Sequence, residues 1–208
     1  MKHELGWLFE DGRCLVVDKP AGLLSVPGRG EDKQDCASSR VQQRHADALI
    51  VHRLDQATSG LLLFARGAEM QRAFSYEFMQ RRVHKRYLAV VEGLLQPLDG
   101  EWREIDLPLI ADWPNRPLQK IDQVQGKPSR TRWRVLAHEG GRSRVELEPV
   151  TGRSHQLRVH LQAIGHPIVG DALYGSTEGE PRLLLHACEL ALPEAPGGAI
   201  SVVSPAPF

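Results

Sequence analysis

Residues 61–65 form an uninterrupted apolar run, Leu-Leu-Leu-Phe-Ala, entered directly from the polar stretch His52-Arg53-Leu54-Asp55-Gln56-Ala57-Thr58-Ser59-Gly60. A short apolar run bounded by turn residues reads as a buried strand. The stretch before it places a basic residue, a carboxylate, two hydroxyls and a glycine at the mouth of that strand. Asp55 is then either a capping residue in an ordinary turn or the reactive centre of an enzyme, and the remaining sequence has to decide between them.

The surrounding pattern is that of a mixed α+β protein. A β-rich segment at 13–17 ends at Asp18-Lys19-Pro20, and a loop punctuated by Pro and Gly follows to Gly28. A short helix is expected over 37–45 with Val41 as its apolar anchor, and a strand over 49–51. Met70, Ala73, Phe74 and Phe78 recur at helical spacing and give a core-facing helix over 68–81. Further strands are expected from Tyr87 to Val91, from Arg130 to Val135 and from Arg142 to Glu148, with Gly140-Gly141 as the hairpin between the last two. In Arg130-Thr131-Arg132-Trp133-Arg134-Val135 the arginines share one face and Thr, Trp and Val the other. Thr151-Gly152-Arg153-Ser154 opens a helix with Ser154 as its N-cap, Leu157, Leu161 and Ile164 as its apolar stripe, and Gly165 at its end. With no repeat, low-complexity tract or boundary signal, the economical reading is one domain over 1–208 with a mostly antiparallel sheet.

Composition narrows the function classes. Lys plus Arg and Asp plus Glu both total 26, so no bulk charge argues for nucleic acid, and any basic surface must be local. Such a surface is present: residues 80–160 hold 15 Lys/Arg against 10 Asp/Glu. Three widely spaced cysteines suit a reducing compartment, and no signal peptide or membrane-length apolar run is visible, so a cytoplasmic location is expected. His155 and His160 are spaced wrongly for a chelating pair, and no zinc motif, G-x-S-x-G or phosphate-binding glycine loop occurs.

What remains is a carboxylate with arginine partners. An arginine near Asp55 would hold it ionised. Arg158 and Arg153 are the candidates by setting, because the Leu157/Leu161 stripe pins their helix to the core. The arginine stripes, with Tyr87 and the basic cluster of residues 81–86, suit a phosphate track beside an aromatic that stacks on a base. Taken alone, a turn Asp is far more often a cap than a nucleophile, and basic stripes are more often solvated sheet faces.

Several segments together resemble one family, the RluA-type pseudouridine synthases. His52-Arg53-Leu54-Asp55-Gln56-Ala57-Thr58-Ser59-Gly60 is similar to its H-R-L-D-x-x-T-S-G signature, and Asp18-Lys19-Pro20-Ala21-Gly22-Leu23 to its first motif. Lys85-Arg86-Tyr87 is similar to its tyrosine motif. Gly152-Arg153-Ser154-His155-Gln156-Leu157-Arg158-Val159-His160 resembles a later one, followed by matching segments at 166–175 and 182–187. The likeness runs in the family's order over about residues 10–208. A narrower likeness, in Asp106 to Pro117 and in Gly126-Lys127-Pro128, is to the family's dual-specificity 23S rRNA and tRNA members.

The resemblance implies a single catalytic domain with a mostly antiparallel central sheet, flanking helices and a central RNA-binding cleft, without the separate N-terminal RNA-binding domain of many relatives. It implies isomerisation of uridine to pseudouridine in structured RNA, with no metal or organic cofactor and a monomeric enzyme. Asp55 takes the role of catalytic aspartate, Arg158 that of its arginine partner, and Tyr87 that of the tyrosine that stacks on uracil. Arg53 would enter the helix stack vacated by the target nucleotide. His52, Arg153, Arg130 and Arg132 are the further RNA contacts expected. The alternatives are a relative acting on tRNA or rRNA alone, and a non-catalytic RNA-binding protein or RNA chaperone on the same fold.

Overall fold

A computed structural model describes residues 4–208. In chain order the elements are β1 (Gly6–Glu10), β2 (Cys14–Lys19), α1 (Ala37–Arg44), β3 (Ala48–Ile50), β4 (Ser59–Arg66), α2 (Gly67–Met79) and β5 (His84–Glu92). They continue with β6 (Arg103–Asp106), β7 (Leu109–Ala111), β8 (Gln119–Ile121), β9 (Arg130–Glu139), β10 (Arg142–Pro149), α3 (Gln156–Ala163), β11 (Leu185–Leu192) and β12 (Ile200–Val203). The fold is mixed α+β with mostly antiparallel strands. None of the helices among the described residues is long and apolar enough to cross a membrane. The chain divides into two compact units, Met1–Lys85 with His186–Pro207, and Arg86–Leu185 with Phe208.

In the first unit β4 is the organising strand. It pairs antiparallel with β2, from Cys14 opposite Ala65 to Lys19 opposite Gly60, and also with β3. Its first residues run parallel to β11, with Ser59 opposite His186 and Gly60 opposite Ala187. Leu61, Leu62, Leu63, Phe64 and Ala65 are all buried, so both faces of the strand are covered. That explains the lack of alternation in its sequence. Phe74 of α2 joins Cys14, Val16, Leu61 and Leu63 in the core, with Met70 and Phe78 against it, as the helical spacing predicts. Strand β1, paired with β2, is an element the sequence reading did not anticipate. Its register slips between Trp7 and Phe9, and that irregularity blurs the alternation by which a strand is recognised.

Gly60 shows why the stretch before β4 ends in glycine. Its φ is +111°, and a Cβ there would lie 2.3 Å from the carbonyl oxygen and 2.6 Å from the amide nitrogen of Ala187. No side chain fits where β11 approaches this closely.

In the second unit β5, β10, β9 and β6 form an antiparallel array in that order. Alternation holds as expected: Thr131, Trp133, Val135, Ser143, Val145 and Leu147 are buried, while the arginines between them face outward. Helix α3 covers the inner face, since Gln156 and His160 both hydrogen-bond Thr131.

The helix does not begin as expected. Ser154 is not its N-cap; His155 occupies that position in a left-handed conformation, φ 56°, with no capping bond from its side chain. The Gln156 side chain closes the entry instead. Its Oε1 accepts from the Arg153 amide at 3.1 Å and from the Thr151 hydroxyl at 2.7 Å, and its Nε2 donates to the Arg130 carbonyl at 2.8 Å. A glutamine inside the helix outcompetes the serine before it because it reaches both the loop and the sheet.

Candidate active site

Asp55 lies, half-buried, in the loop between β3 and β4. Three interactions shape that loop. Ser25 donates to the Leu54 carbonyl at 2.7 Å and accepts from the Leu54 amide at 3.1 Å. The Gly22 amide donates to the Gln56 carbonyl at 2.8 Å, and Gln56 Nε2 returns a bond to the Gly22 carbonyl at 3.0 Å. The Thr58 amide closes the turn on the Asp55 carbonyl at 3.1 Å. The Pro- and Gly-bounded segment after β2 therefore acts as a cradle for the carboxylate loop. Together they edge an open cleft lined by Gly22, Leu24, Lys33, Arg40 and Gln56.

The sequence reading did not single out Lys19, which is 0% exposed. Its ammonium donates to the carbonyls of Pro20 (2.9 Å), Leu23 (2.7 Å) and Gln56 (3.1 Å), so all three of its protons bind the two loops. Burial pushes its pKa down to about 7, against the pull of the carboxylates of Asp55 and then Asp18. Its signals in the sequence were its place at the end of an apolar strand and within the family's first motif.

A second buried chain braces the same loop. Ser204 donates to Asp18 Oδ2 at 2.8 Å, so it accepts from His186 Nε2 at 3.1 Å; His186 Nδ1 then accepts from the Ser59 hydroxyl at 2.9 Å. Ser59, His186 and Ser204 are all buried.

Of the residues expected around Asp55, Arg53 is exposed, as a group facing RNA must be. His52 is not placed for that role. Its Nε2 accepts from the Leu63 amide at 3.1 Å, and its ring stacks on Phe78 with centroids 4.7 Å apart. Burial first, and then the ammonium of Lys85, push its pKa down to about 3. An imidazole bonded into β4 in this way supports the strand.

The second unit carries Tyr87, Arg158, Arg153, Arg130 and Arg132. Arg158 is 4% exposed, and its guanidinium grips Asp171 in two bonds, Nε to Oδ2 at 2.8 Å and Nη2 to Oδ1 at 2.6 Å. Despite burial, which opposes ionisation, this pairing with Arg158 holds the Asp171 carboxyl below its usual range, helped by the amides of Leu173 and Tyr174. Tyr174 lies under the guanidinium, 5.1 Å from ring centroid to Cζ, and its hydroxyl meets His155 Nδ1 at 2.7 Å. Asp171 and Tyr174 were visible in the sequence only as parts of a family segment. The pairing spans 13 positions and leaves no local pattern.

Tyr87 and the arginine stripe do not share a surface, which corrects the single track expected of them. Tyr87 is opposite Leu147, and Arg86 beside it in the strand points to the other face. That other face carries Arg132 opposite Glu148 and Arg134 opposite Glu146. There the arginines are largely neutralised: Arg134–Glu146 at 2.6 Å, Arg86–Glu148 at 3.0 Å, Arg132–Glu148 at 3.3 Å and Arg130–Glu104 at 3.5 Å. The guanidinium groups of Arg86, Arg134 and Arg132 also crowd the Trp102 ring at 4.4, 4.8 and 5.1 Å. Arg130 and Arg132 thus belong to a self-paired outer face. Arg153 is exposed at the entry to α3 and reaches the Pro128 carbonyl at 3.5 Å.

Comparison with known proteins gives the family. Residues 13–163 match the family described as RNA pseudouridylate synthase. The dual-specificity RNA pseudouridine synthase RluA of Escherichia coli (strain K12) is 46% identical over 206 residues, 97% of this chain and 93% of that protein. RluA of Vibrio parahaemolyticus is 50% identical over 192 residues, 88% of this chain and 76% of the relative. Among solved structures, human RNA pseudouridylate synthase domain containing 1 superposes with a TM-score of 0.81 at 32% identity, covering 99% of this chain and 84% of that one.

Proposed function

The chain belongs to the RNA pseudouridylate synthase family, and from that premise we propose that it isomerises uridines in both a 23S rRNA hairpin loop and a tRNA anticodon stem-loop, with Asp55 as nucleophile. The observation that carries the dual specificity is the near-complete alignment with RluA, a protein named for it, at 46% identity. The enzyme class itself follows from the family: it is a pseudouridine synthase, an isomerase.

The reaction breaks the bond from uracil N1 to ribose C1′ and forms one from C5 to C1′. C5 loses a proton and N1 gains one, so atoms balance without a co-reactant. Asp55 attacks as the carboxylate, and a loop that holds it in place supplies the positioning such an attack requires. The three carbonyl bonds of Lys19 and the Ser25 clamp supply that rigidity. Arg158, prealigned by Asp171, takes the role of the arginine partner of the reacting carboxylate. Tyr87 stacks on the uracil, and it or a water takes the C5 proton. Arg53, exposed at the loop, fills the stack left by the flipped nucleotide. The enzyme works as a cytoplasmic monomer on these RNAs.

The test is Asp55→Asn, assayed for RNA binding and for pseudouridine by carbodiimide-arrested primer extension. Binding should persist and pseudouridine formation should vanish; activity near wild type would overturn the nucleophile assignment. Mapping both RNA classes from a deletion strain decides the specificity. Loss of pseudouridine from tRNA alone, or from rRNA alone, would overturn the dual reading.

A further inference from the structure

The hairpin made by β7 and β8 carries a feature that the chemistry above does not use. Its connecting turn, Trp113-Pro114-Asn115-Arg116-Pro117, is exposed throughout, and Trp113 is 66% exposed. The Arg116 guanidinium lies over the indole, 3.0 Å from Cζ to the ring centroid. A single exposed apolar side chain is ordinary on a protein surface; this one is set apart by the guanidinium held against its ring on a fixed turn.

The turn is rigid. Asp112 and Leu118 are joined by the Asp112 amide to the Leu118 carbonyl at 2.9 Å, and the Leu118 amide bonds the Asn115 carbonyl at 3.0 Å. Asn115 Nδ2 donates to Asp112 Oδ2 at 2.9 Å, and Pro114 and Pro117 each lock one φ. At the hairpin's base Gly126 passes so close that a Cβ would lie 2.2 Å from the Asp122 carbonyl oxygen. The hairpin is also fastened to the unit's core. Leu109 packs with Val159 and Tyr174, and the Gln119 amide donates to the Tyr174 hydroxyl at 2.8 Å. Tyr174 in turn lies under Arg158. The exposed indole is therefore held in fixed register with the buried arginine of α3.

We propose that Trp113 and Arg116 form a stacking platform for an unpaired base of the RNA substrate, outside the target uridine. The inference rests on the functional reading above and assigns to this hairpin a recognition role within it. Every base has a π face, and aromatic or guanidinium planes are the usual partners of bases splayed from single-stranded loops. The local charge suits the accompanying phosphates. Between 112 and 128 the chain carries Arg116, Lys120 and Lys127 against Asp112 and Asp122, and Arg153 adds a further positive charge at Pro128.

The experiment compares wild type, Trp113→Ala and Trp113→Phe on a uridine-containing stem-loop and on a blunt duplex of the same length. Binding is read by fluorescence anisotropy and turnover by pseudouridine formation. Trp113 is exposed, so Trp113→Ala should fold normally. The platform predicts about a fivefold or greater rise in Kd and KM for the stem-loop in Trp113→Ala, because base stacking contributes about 1–3 kcal/mol. It also predicts kcat within about twofold, partial rescue by Trp113→Phe, and an unchanged Kd for the duplex. An unchanged stem-loop Kd overturns the platform, and so does an equal loss on the duplex. Failure of wild type to form pseudouridine overturns the functional reading separately, and the binding arm still decides the platform.

Discussion

Asp171→Asn probes the Arg158 site with the least change of shape. Asp171 Oδ1 accepts from Arg158 Nη2 at 2.6 Å and from the amides of Leu173 and Tyr174 at 2.9 and 3.2 Å, while Oδ2 accepts from Arg158 Nε at 2.8 Å. A carboxamide has one acceptor oxygen. If that oxygen keeps the three donors, the amide NH2 faces the Nε proton; flipped, it faces all three. Arg158 is 4% exposed, so water cannot fill the gap. Breaking a buried ion pair by neutralising one partner costs about 3–5 kcal/mol. For a chain of this size each kcal/mol is worth about 2–4 °C, so Tm should fall by about 6–20 °C. Urea unfolding at pH 7 measures the loss, and pseudouridine formation well below the transition measures the function. The paired replacement of Asp171→Leu with Arg158→Met should recover much of the stability, since apolar substitutes for buried pairs are often neutral or better. Activity should not return. A loss under about 1 kcal/mol for Asp171→Asn refutes the energetic argument, and an active double variant refutes a role for Arg158 in the reaction.

Lys19→Met removes the three bonds to Pro20, Leu23 and Gln56, and the stranded carbonyls should cost about 2–4 kcal/mol with a matching fall in turnover; thermal melts and single-turnover rates check it, and wild-type values in both would refute the bracing role. His52 has a folded pKa lowered from 6.5 to about 3, so between those values the unfolded chain binds a proton that the folded chain does not. Stability should therefore fall as pH drops from 6.5 toward 3, by up to about 4 kcal/mol from this group. His52→Gln, which keeps an acceptor, should flatten that slope in urea titrations, and an unchanged slope assigns it elsewhere. Arg53→Ala should harm turnover more on a structured stem-loop than on an unpaired uridine-containing strand, and equal defects would rule out insertion into the stack.

Much of this was legible in the sequence, for reasons that particular residues make plain. The unalternating run at 61–65 announced a strand covered on both faces, and the Met70/Phe74/Phe78 spacing announced its helix. Alternation in β9 identified which residues share a face. It could not say that Tyr87 lies on the opposite face from the arginines, because that depends on the register of β5 against β10. The grip of Arg158 on Asp171 and the placing of Lys19 under two loops arise from tertiary approach. Neither leaves a period or a spacing to read. His52 misled because a histidine beside an arginine and an aspartate looks solvent-facing, whereas one hydrogen bond to Leu63 turns it inward.

The parallel pairing of Ser59 and Gly60 with His186 and Ala187 has a consequence for biosynthesis. The two partners stand about 127 positions apart in the chain. At ribosomal speeds of about 5–20 residues per second, the start of β4 waits roughly 6–25 s for its neighbour to be made. Throughout that interval the loop bearing Asp55 lacks the strand that Gly60 is shaped to admit. The buried Ser59–His186–Ser204–Asp18 chain beside that loop is likewise incomplete until the late strand is made. The same wait leaves the Ser59–Gly60 edge of β4 without its partner strand.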